Sequence, residues 1–413
     1  MITIRPVKRA LVPVDTAAAQ RIMGPNYDEF QSDDEVWDII QANPDSILRL
    51  TMAHCDFATK EEMIKDGSPE ALEMAAANLQ QLVDGELTRV VENMLWVYEI
   101  VDENRPGTRQ IGLGCGALTS EIRTDQTPDG TVIRNEGIRD EKAQGRANLI
   151  SKTNAYIGTV NNTIEDTEDR VIAELEKYAD GRSCDYSAVD ECGNTHKAWI
   201  VTDAEEIAGF TRVMAEEPFA FVADGNHRSA AAAVLGREEY LAVFFTNDRM
   251  GLAPYNRLVK PTDSSIDDWV AVLSASFDVE PLGDLPEFQP TETHEIGFYV
   301  QGNWLRLRPK AESYDPENAV QAIDSDIIQR KLFDKLLGIT DARDPKLTFV
   351  GGNKDSAYLK SKVDDGSHEI AITLPPVTIV QFVNVCKQNR FMPPKSTWFE
   401  PKIRSGLVVA LLD

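Results

Sequence analysis

The run Phe219-Ala-Phe-Val-Ala-Asp-Gly-Asn-His-Arg-Ser-Ala-Ala-Ala-Ala233 passes from an apolar strand through Asp224-Gly225 straight into an alanine-rich helix. It therefore sets a carboxylate, an imidazole and a guanidinium within five residues. His227 and Arg228 fall in the first helical turn. There the unpaired backbone N–H groups and the positive end of the helix dipole make a cation unfavourable by about 0.3–1 kcal/mol. A bound phosphate reverses that penalty, because dipole, N–H groups, imidazole and guanidinium converge on one anion. This reading gives Gly225, Asn226, His227, Arg228 and Ser229 to phosphate or nucleotide binding. Asp224 beside such an anion is a candidate Mg²⁺ ligand, or a base for a hydroxyl nucleophile. The plainer alternative is a helix-capping Asp224, with Arg228 reaching away to a surface carboxylate.

A second cluster lies near the end of the chain. Met392-Pro-Pro-Lys-Ser-Thr-Trp-Phe-Glu-Pro-Lys-Ile-Arg404 gathers Lys395, Lys402 and Arg404 within ten residues, in a chain of net charge −26. Two prolines hold the backbone extended, while Ser396 and Thr397 offer hydroxyls to a phosphate or carboxylate. Lys395, Ser396, Thr397 and Lys402 are the candidate substrate contacts; a rigid, solvated surface loop is the alternative. Other signals are weaker. Gly112-Leu-Gly-Cys-Gly116 lies within a strand pattern and lacks the later glycine of a dinucleotide loop, and no Gly-Lys-Ser/Thr phosphate loop occurs. His54-Cys55-Asp56 shows no partner pair in sequence, so no metal site is expected from it.

With its motifs taken in order, the chain resembles the domain-of-unknown-function family 1015 over nearly its whole length. The residues that carry the resemblance are Ile4-Arg5-Pro6, Gly24-Pro-Asn-Tyr-Asp28, Asn43-Pro44, Asp224-Gly-Asn-His-Arg228, Tyr255-Asn256-Arg257, Met392 to Phe399, Pro401-Lys402 and Ser405-Gly406-Leu407. The family is similar to the archaeal free-serine kinase and, more remotely, to the ParB/sulfiredoxin-like nucleotide-binding fold. Its kinase relatives transfer a phosphoryl group from a nucleotide to the hydroxyl of free serine, with the Asp-Gly-x-His-Arg motif at the phosphates. By position, the resemblance implies catalytic roles for Asp224 and His227, with Arg228 on a phosphate. Ile133-Arg134-Asn135-Glu136 with Lys142, Arg146 and Asn154 resembles another family stretch. It implies Glu136 as general base and Lys142 and Arg146 as phosphate contacts; a charged, solvated helix face is the alternative. His196, with Lys197 ahead of Trp199, also matches, which implies a substrate contact, although a lone His before a strand is more often structural. Asn226 and Asn135 stand where the family usually has histidines.

The elements that position these residues read as an α/β (α+β) chain, implied by the resemblance to be a ParB/sulfiredoxin-like mixed core with helical N-terminal elements and an α/β C-terminal lobe. Ser32-Asp33 and Ser68-Pro69-Glu70 start helices. Strands are expected at 218–222 and 241–245 around the 229–235 helix. A loop holding two cysteines is expected between Gly181 and Thr195, and a long helix from Ala319 to Leu337. We divide the chain into 1–110, 111–262 and 263–413, the last bearing a substrate-facing loop at 391–406.

The 413 residues are 42% hydrophobic and 27% charged, ordinary globular proportions. Five scattered cysteines fit a reducing compartment. Neither a signal core nor an uncharged run near the roughly 20 residues a bilayer requires is present. The acidity sets up repulsion toward nucleic acid and anionic membranes. The expectation is a cytoplasmic phosphotransferase using Mg²⁺ and ATP or ADP on a small hydroxyl metabolite, with free serine the acceptor suggested by the resemblance, with no nucleic acid or membrane partner and with a homodimer as the candidate assembly. The alternative is a nucleotide-binding switch or NTPase of the ParB-like type.

Overall fold

The long β-branched and aromatic run Thr88–Val101 forms a 14-residue strand, against which much of the first half of the chain is laid. In this computed structural model all residues are described except Asp28, Gln31, Pro106, Thr262 to Ser265, Asp267 and Asp413, so the Asp28 end of the Gly24–Asp28 motif lies outside the described residues. The chain divides into two compact units, neither of them continuous in sequence. The first comprises Met1–Arg134, Ile138–Met250 and Pro401–Asp413; the second comprises Asn135–Gly137 and Gly251–Glu400.

The first unit is built on a mixed sheet of twelve strands among the described residues. Its main path runs Val132–Arg134, Ala220–Asp224, Val160–Ile164, Glu239–Thr246, Gln110–Leu118, Thr88–Val101, Val7–Pro13, Val409–Leu411, Ala155–Tyr156. Residues from the 1–110 and 111–262 stretches thus share one sheet. Ala220–Asp224 lies parallel to Val132–Arg134 and antiparallel to Val160–Ile164. The glycine-rich strand Gln110–Leu118 serves packing: a Cβ on Gly114 would fall within the indole of Trp96. Strict glycine at that position lets a large aromatic ring cross the neighbouring strand.

One expectation fails here. The stretch between Gly181 and Thr195 is not a plain loop, because Tyr186–Val189 pairs antiparallel with Thr195–Val201. The hairpin turn is closed by Asp190, whose Oδ1 accepts from the Cys192 and Asn194 amides. Buried Tyr186, donating to Leu407 O, pins the hairpin to the C-terminal segment.

The second unit carries a six-stranded antiparallel sheet, ordered Phe277–Gly283, Asn303–Pro309, Ile296–Val300, Ile370–Thr373, Asn256–Val259, Leu347–Val350. One face is filled by Trp269, Phe298, Phe333 and their aliphatic neighbours. The continuous α-helix expected over 319–337 is also corrected. Residues Asp324–Ile328 are α-helical, and Gln329–Leu337 widens to π-helical hydrogen bonding before Gly338 stops it at φ +66°. Apolar periodicity is similar for both windings, so the sequence pattern could not separate them. The described residues contain no helix long and apolar enough to cross a membrane.

Candidate functional site

Ala220–Asp224 ends at a turn that only glycine fits. Gly225 has φ +95°, and a Cβ there would lie 2.8 Å from Arg228 Nε. The helix then runs Asn226–Val234, with Ala230, Ala231 and Ala232 buried. Those small side chains let the helix sit close to its neighbours, and Arg228, in its first turn, projects into the protein rather than outward. Its side chain is 7% exposed. One guanidinium nitrogen donates to Asn26 Oδ1 at 3.1 Å and to the Thr159 carbonyl at 2.5 Å; another lies 3.5 Å from Asp224 Oδ1.

Asp224 is held from its other side by Lys402, whose Nζ donates to Oδ2 at 3.1 Å. A carboxylate between two cations is a poor direct ligand for a further cation. Asp224, expected from sequence as a Mg²⁺ ligand, thus stands between the cations Arg228 and Lys402. Asn26 in turn accepts from Ser405 Oγ at 3.0 Å and donates to the Ile403 carbonyl, so the C-terminal segment closes the constellation.

Arg228 lines a cleft within the first unit. A second guanidinium among the lining residues is Arg146, from the helix Asp140–Thr153, lying 3.8 Å over the ring of Tyr27. Leu149, Ile150, Ile157 and Val160 supply an apolar wall, and Gly158 leaves room for the Arg228 stem, 3.1 Å from where its Cβ would be. Among the described residues that line it there is no carboxylate and no imidazole. In a chain of charge −26 this is a partly apolar recess lined by two guanidiniums.

The other sequence candidates are distributed as follows. His227 accepts a hydrogen bond from the Arg139 amide on Nε2 at 3.1 Å, which places its ring proton on Nδ1. Ser229 is fully buried and donates to the Asn226 carbonyl, so it closes the helix turn instead of facing a ligand. Asn226 is buried and Lys142 exposed, neither among the cleft-lining residues. Glu136, Lys395, Ser396 and Thr397 belong to the second unit. There Glu136 forms a parallel bridge with Met392, Ser396 Oγ meets Ser325 Oγ at 2.7 Å, and Thr397 accepts from Asn135. Lys395 lies over the Tyr255 ring, and its carbonyl accepts from Arg257, a buried guanidinium with no carboxylate ion-paired to it among the described residues.

His196, expected to touch substrate, is placed elsewhere. Its ring is completely buried, with Nδ1 2.6 Å from Tyr98 OH and Nε2 3.1 Å from Asp190 Oδ2. Arg404 extends this chain, pairing with Asp190, Glu191 and Glu29 at 2.9–3.1 Å while its amide donates to Tyr98 OH. Burial lowers the His196 pKa, so the ring is neutral. Burial alone would push the Asp190 carboxyl up, but the His196 hydrogen bond and the Arg404 charge outweigh it and hold the carboxyl well below the usual carboxylate range. Arg404 is thus an internal clamp and not a solvated cation of a substrate loop.

Sequence reasoning assigned no role to Asn26, Tyr27, Thr159 or Ser405. Asn26, Tyr27 and Ser405 stood inside motifs already noted; the available signal was their recurrence in a family pattern, with no chemistry attached. Thr159 acts through its backbone carbonyl, which leaves no signal in side-chain identity. Gly225→Ala is expected to destabilise the protein by at least about 1–2 kcal/mol and to displace Arg228. Chemical denaturation and protection of the Arg228 guanidinium from a dicarbonyl reagent would check this.

A family model described as Protein of unknown function (DUF1015) matches residues 4–332. Similar solved structures include a free serine kinase in complex with AMP, at 10% identity, covering 67% of this chain and 89% of that one, with TM-score 0.37. A conserved hypothetical protein from Pyrococcus furiosus is similar at 12% identity, 68% and 92% coverage and TM-score 0.38. SbnI with a C-terminal truncation from Staphylococcus aureus is similar at 9%, 72% and 87%, and 0.37. At these scores the likeness is too loose to transfer any residue's role. No curated protein matches the sequence.

Proposed function

The chain belongs to the DUF1015 family, and from that premise we propose that its first unit binds a nucleotide and uses it to phosphorylate a small hydroxyl compound. The observation that carries this reading is the cleft itself: two guanidiniums, Arg146 and Arg228, line it together with apolar side chains, within an otherwise strongly acidic chain. Arg228 is held in place before any ligand arrives by Asn26, Thr159 and Asp224, so binding a phosphate costs little ordering of that side chain. The base and sugar would lie along Leu149, Ile150 and Ile157. Lys402, fixed by Asp224, supplies a further cation to the surroundings of the turn. Phosphoryl transfer depends mostly on positioning and charge neutralisation, which such a set can provide. ATP or ADP is the proposed nucleotide and free serine one acceptor to test. Mg²⁺, if used, would arrive on the nucleotide's phosphates with its own waters rather than on Asp224.

A second reading, a nucleotide-binding switch without turnover, is favoured by the lack of any carboxylate or imidazole among the described cleft residues. Purified protein with Mg²⁺, ATP or ADP, and a panel of serine, threonine and polyols, followed by ³¹P NMR, separates the two. A phosphorylated acceptor is the expected result. Saturable nucleotide binding with unchanged phosphorus spectra would establish the switch, and no binding of either nucleotide would remove both readings.

A further inference from the structure

Away from the cleft's ligand-facing wall, the N-terminal part of the first unit gathers a set of metal-type donors that no part of the phosphoryl-transfer reading uses. His54 and Cys55 are consecutive at the end of the short 3-10 turn Ala53–Cys55, and both are buried. Asp33, exposed, opens the helix Asp33–Ala42. One carboxylate oxygen of Asp33, one ring nitrogen of His54 and the Cys55 sulfur all lie within 4.8 Å of one another. Around a tetrahedral zinc-like ion with bonds of about 2.0–2.3 Å such donors stand roughly 3.3–3.8 Å apart. Closing the remaining distance requires a shift of at most about 1.5 Å between donors.

The geometry points to a binding site for a zinc-class divalent cation, held by Asp33, His54 and Cys55, with Asp66 orienting the imidazole. The orientation of His54 is the second observation that leads there. Its ring is 2% exposed; Nε2 faces Asp33 Oδ1 at 3.3 Å and Nδ1 faces Asp66 Oδ1 at 3.5 Å, yet Nδ1 makes no hydrogen bond among the described residues. A metal-bound histidine characteristically binds through one nitrogen and offers the other N–H to a carboxylate, and Asp66 occupies that outer position. The Cys55 sulfur is buried beside the same groups. On binding, a divalent cation takes the place of the thiol proton, which leaves to water, and offsets the clustered negative charge.

Nitrogen, sulfur and oxygen together select a borderline ion over Mg²⁺ or Ca²⁺, whose ligands are all oxygen, and three protein donors leave a fourth position for water. Asp56, the carboxylate next in sequence, is turned away to Arg49 and Asn78, which is why the sequence run His54-Cys55-Asp56 misleads about the ligand set. Asp66 also approaches Arg146 at 3.7 Å, so the outer shell of this site adjoins one of the cleft's two guanidiniums.

Cobalt(II) alone, titrated into the full chain after dialysis against a chelator, tests the site. One equivalent is expected to bind with the near-ultraviolet sulfur-to-cobalt charge-transfer band and intense visible bands of tetrahedral cobalt, both bleached by zinc. Cys55→Ser should remove the charge-transfer band, while Cys192→Ser, at an exposed thiol, should leave it intact. Asp33→Asn should weaken affinity at least 10-fold and Asp66→Asn about 10–100-fold. Because Asp33 is exposed, its variant decides the matter even if Cys55→Ser does not fold. Failure to bind one equivalent, a band that survives Cys55→Ser, or unchanged affinity in Asp33→Asn would each overturn the proposal.

Discussion

Arg228→Ala is expected to abolish measurable nucleotide binding and to lower stability by about 3 kcal/mol, the lower end of the range for breaking a buried ion pair. Two consequences of the deletion differ in kind. The Thr159 carbonyl loses a buried donor and Asn26 Oδ1 keeps, among the described residues, Ser405 alone, which is a folding cost. Asp224 keeps Lys402, so no carboxylate is stranded, and the loss stays at that lower end. The cleft, by contrast, loses one of its two guanidiniums, and a buried charged hydrogen bond to phosphate is worth roughly 100-fold or more in affinity. Arg228→Lys separates the two effects. It returns the charge without the planar fork, so much of the stability should come back while affinity stays at least about 10-fold weak. Titration calorimetry with ATP and ADP, beside urea denaturation, would measure both. Wild-type affinity in Arg228→Ala would exclude this cleft as the nucleotide site.

The second large effect is expected at Arg404. Its side chain is 3% exposed and faces Glu29, Asp190 and Glu191, of which Asp190 is completely buried. Arg404→Ala leaves a buried carboxylate without its guanidinium, and a loss of about 3–5 kcal/mol follows. The loss should depend on pH, and its sign is determined. Both Asp190 and His196 have folded pKa values below their ordinary ones, so on acidification the unfolded chain takes up protons before the folded chain does. Stability contributed by these groups is fully present above the unfolded values. It declines as pH falls below about 6.5 for the histidine and below about 3.9 for the aspartate. Arg404 lowers both folded pKa values, so its removal should flatten the acid limb as well as lower the plateau. Urea midpoints measured from neutral to acid pH for wild type and Arg404→Ala would show converging curves. Parallel curves would mean that Arg404 does not govern this buried chain.

Both residues show where sequence reading succeeds and where it stops. The strand, turn and helix around Asp224-Gly225 were legible because every signal was local: an apolar run, a glycine that must take positive φ, and an alanine series. The placement of Arg228 in the first turn followed from that spacing. Its destination did not, because Asn26, Thr159 and Ser405 come from three distant segments joined only by folding. The nearby cations therefore suggested a phosphate grip for Lys402 and Arg404 alike, whereas one pairs with Asp224 and the other locks Asp190.

Sequence by itself determined the alternation of strands and helices, the strongly acidic character, the family pattern and the chemistry available at 224–228. These rest on interactions within a few residues, or on sums over the chain. Tertiary structure alone decided that His196 is an interior ring hydrogen-bonded to Tyr98, that Arg146 meets Tyr27, and that Asp33, not Asp56, lies beside His54 and Cys55. Each depends on loop closures spanning tens to hundreds of residues, where a side chain's partner is chosen by the packing of the whole sheet and leaves no trace in local spacing.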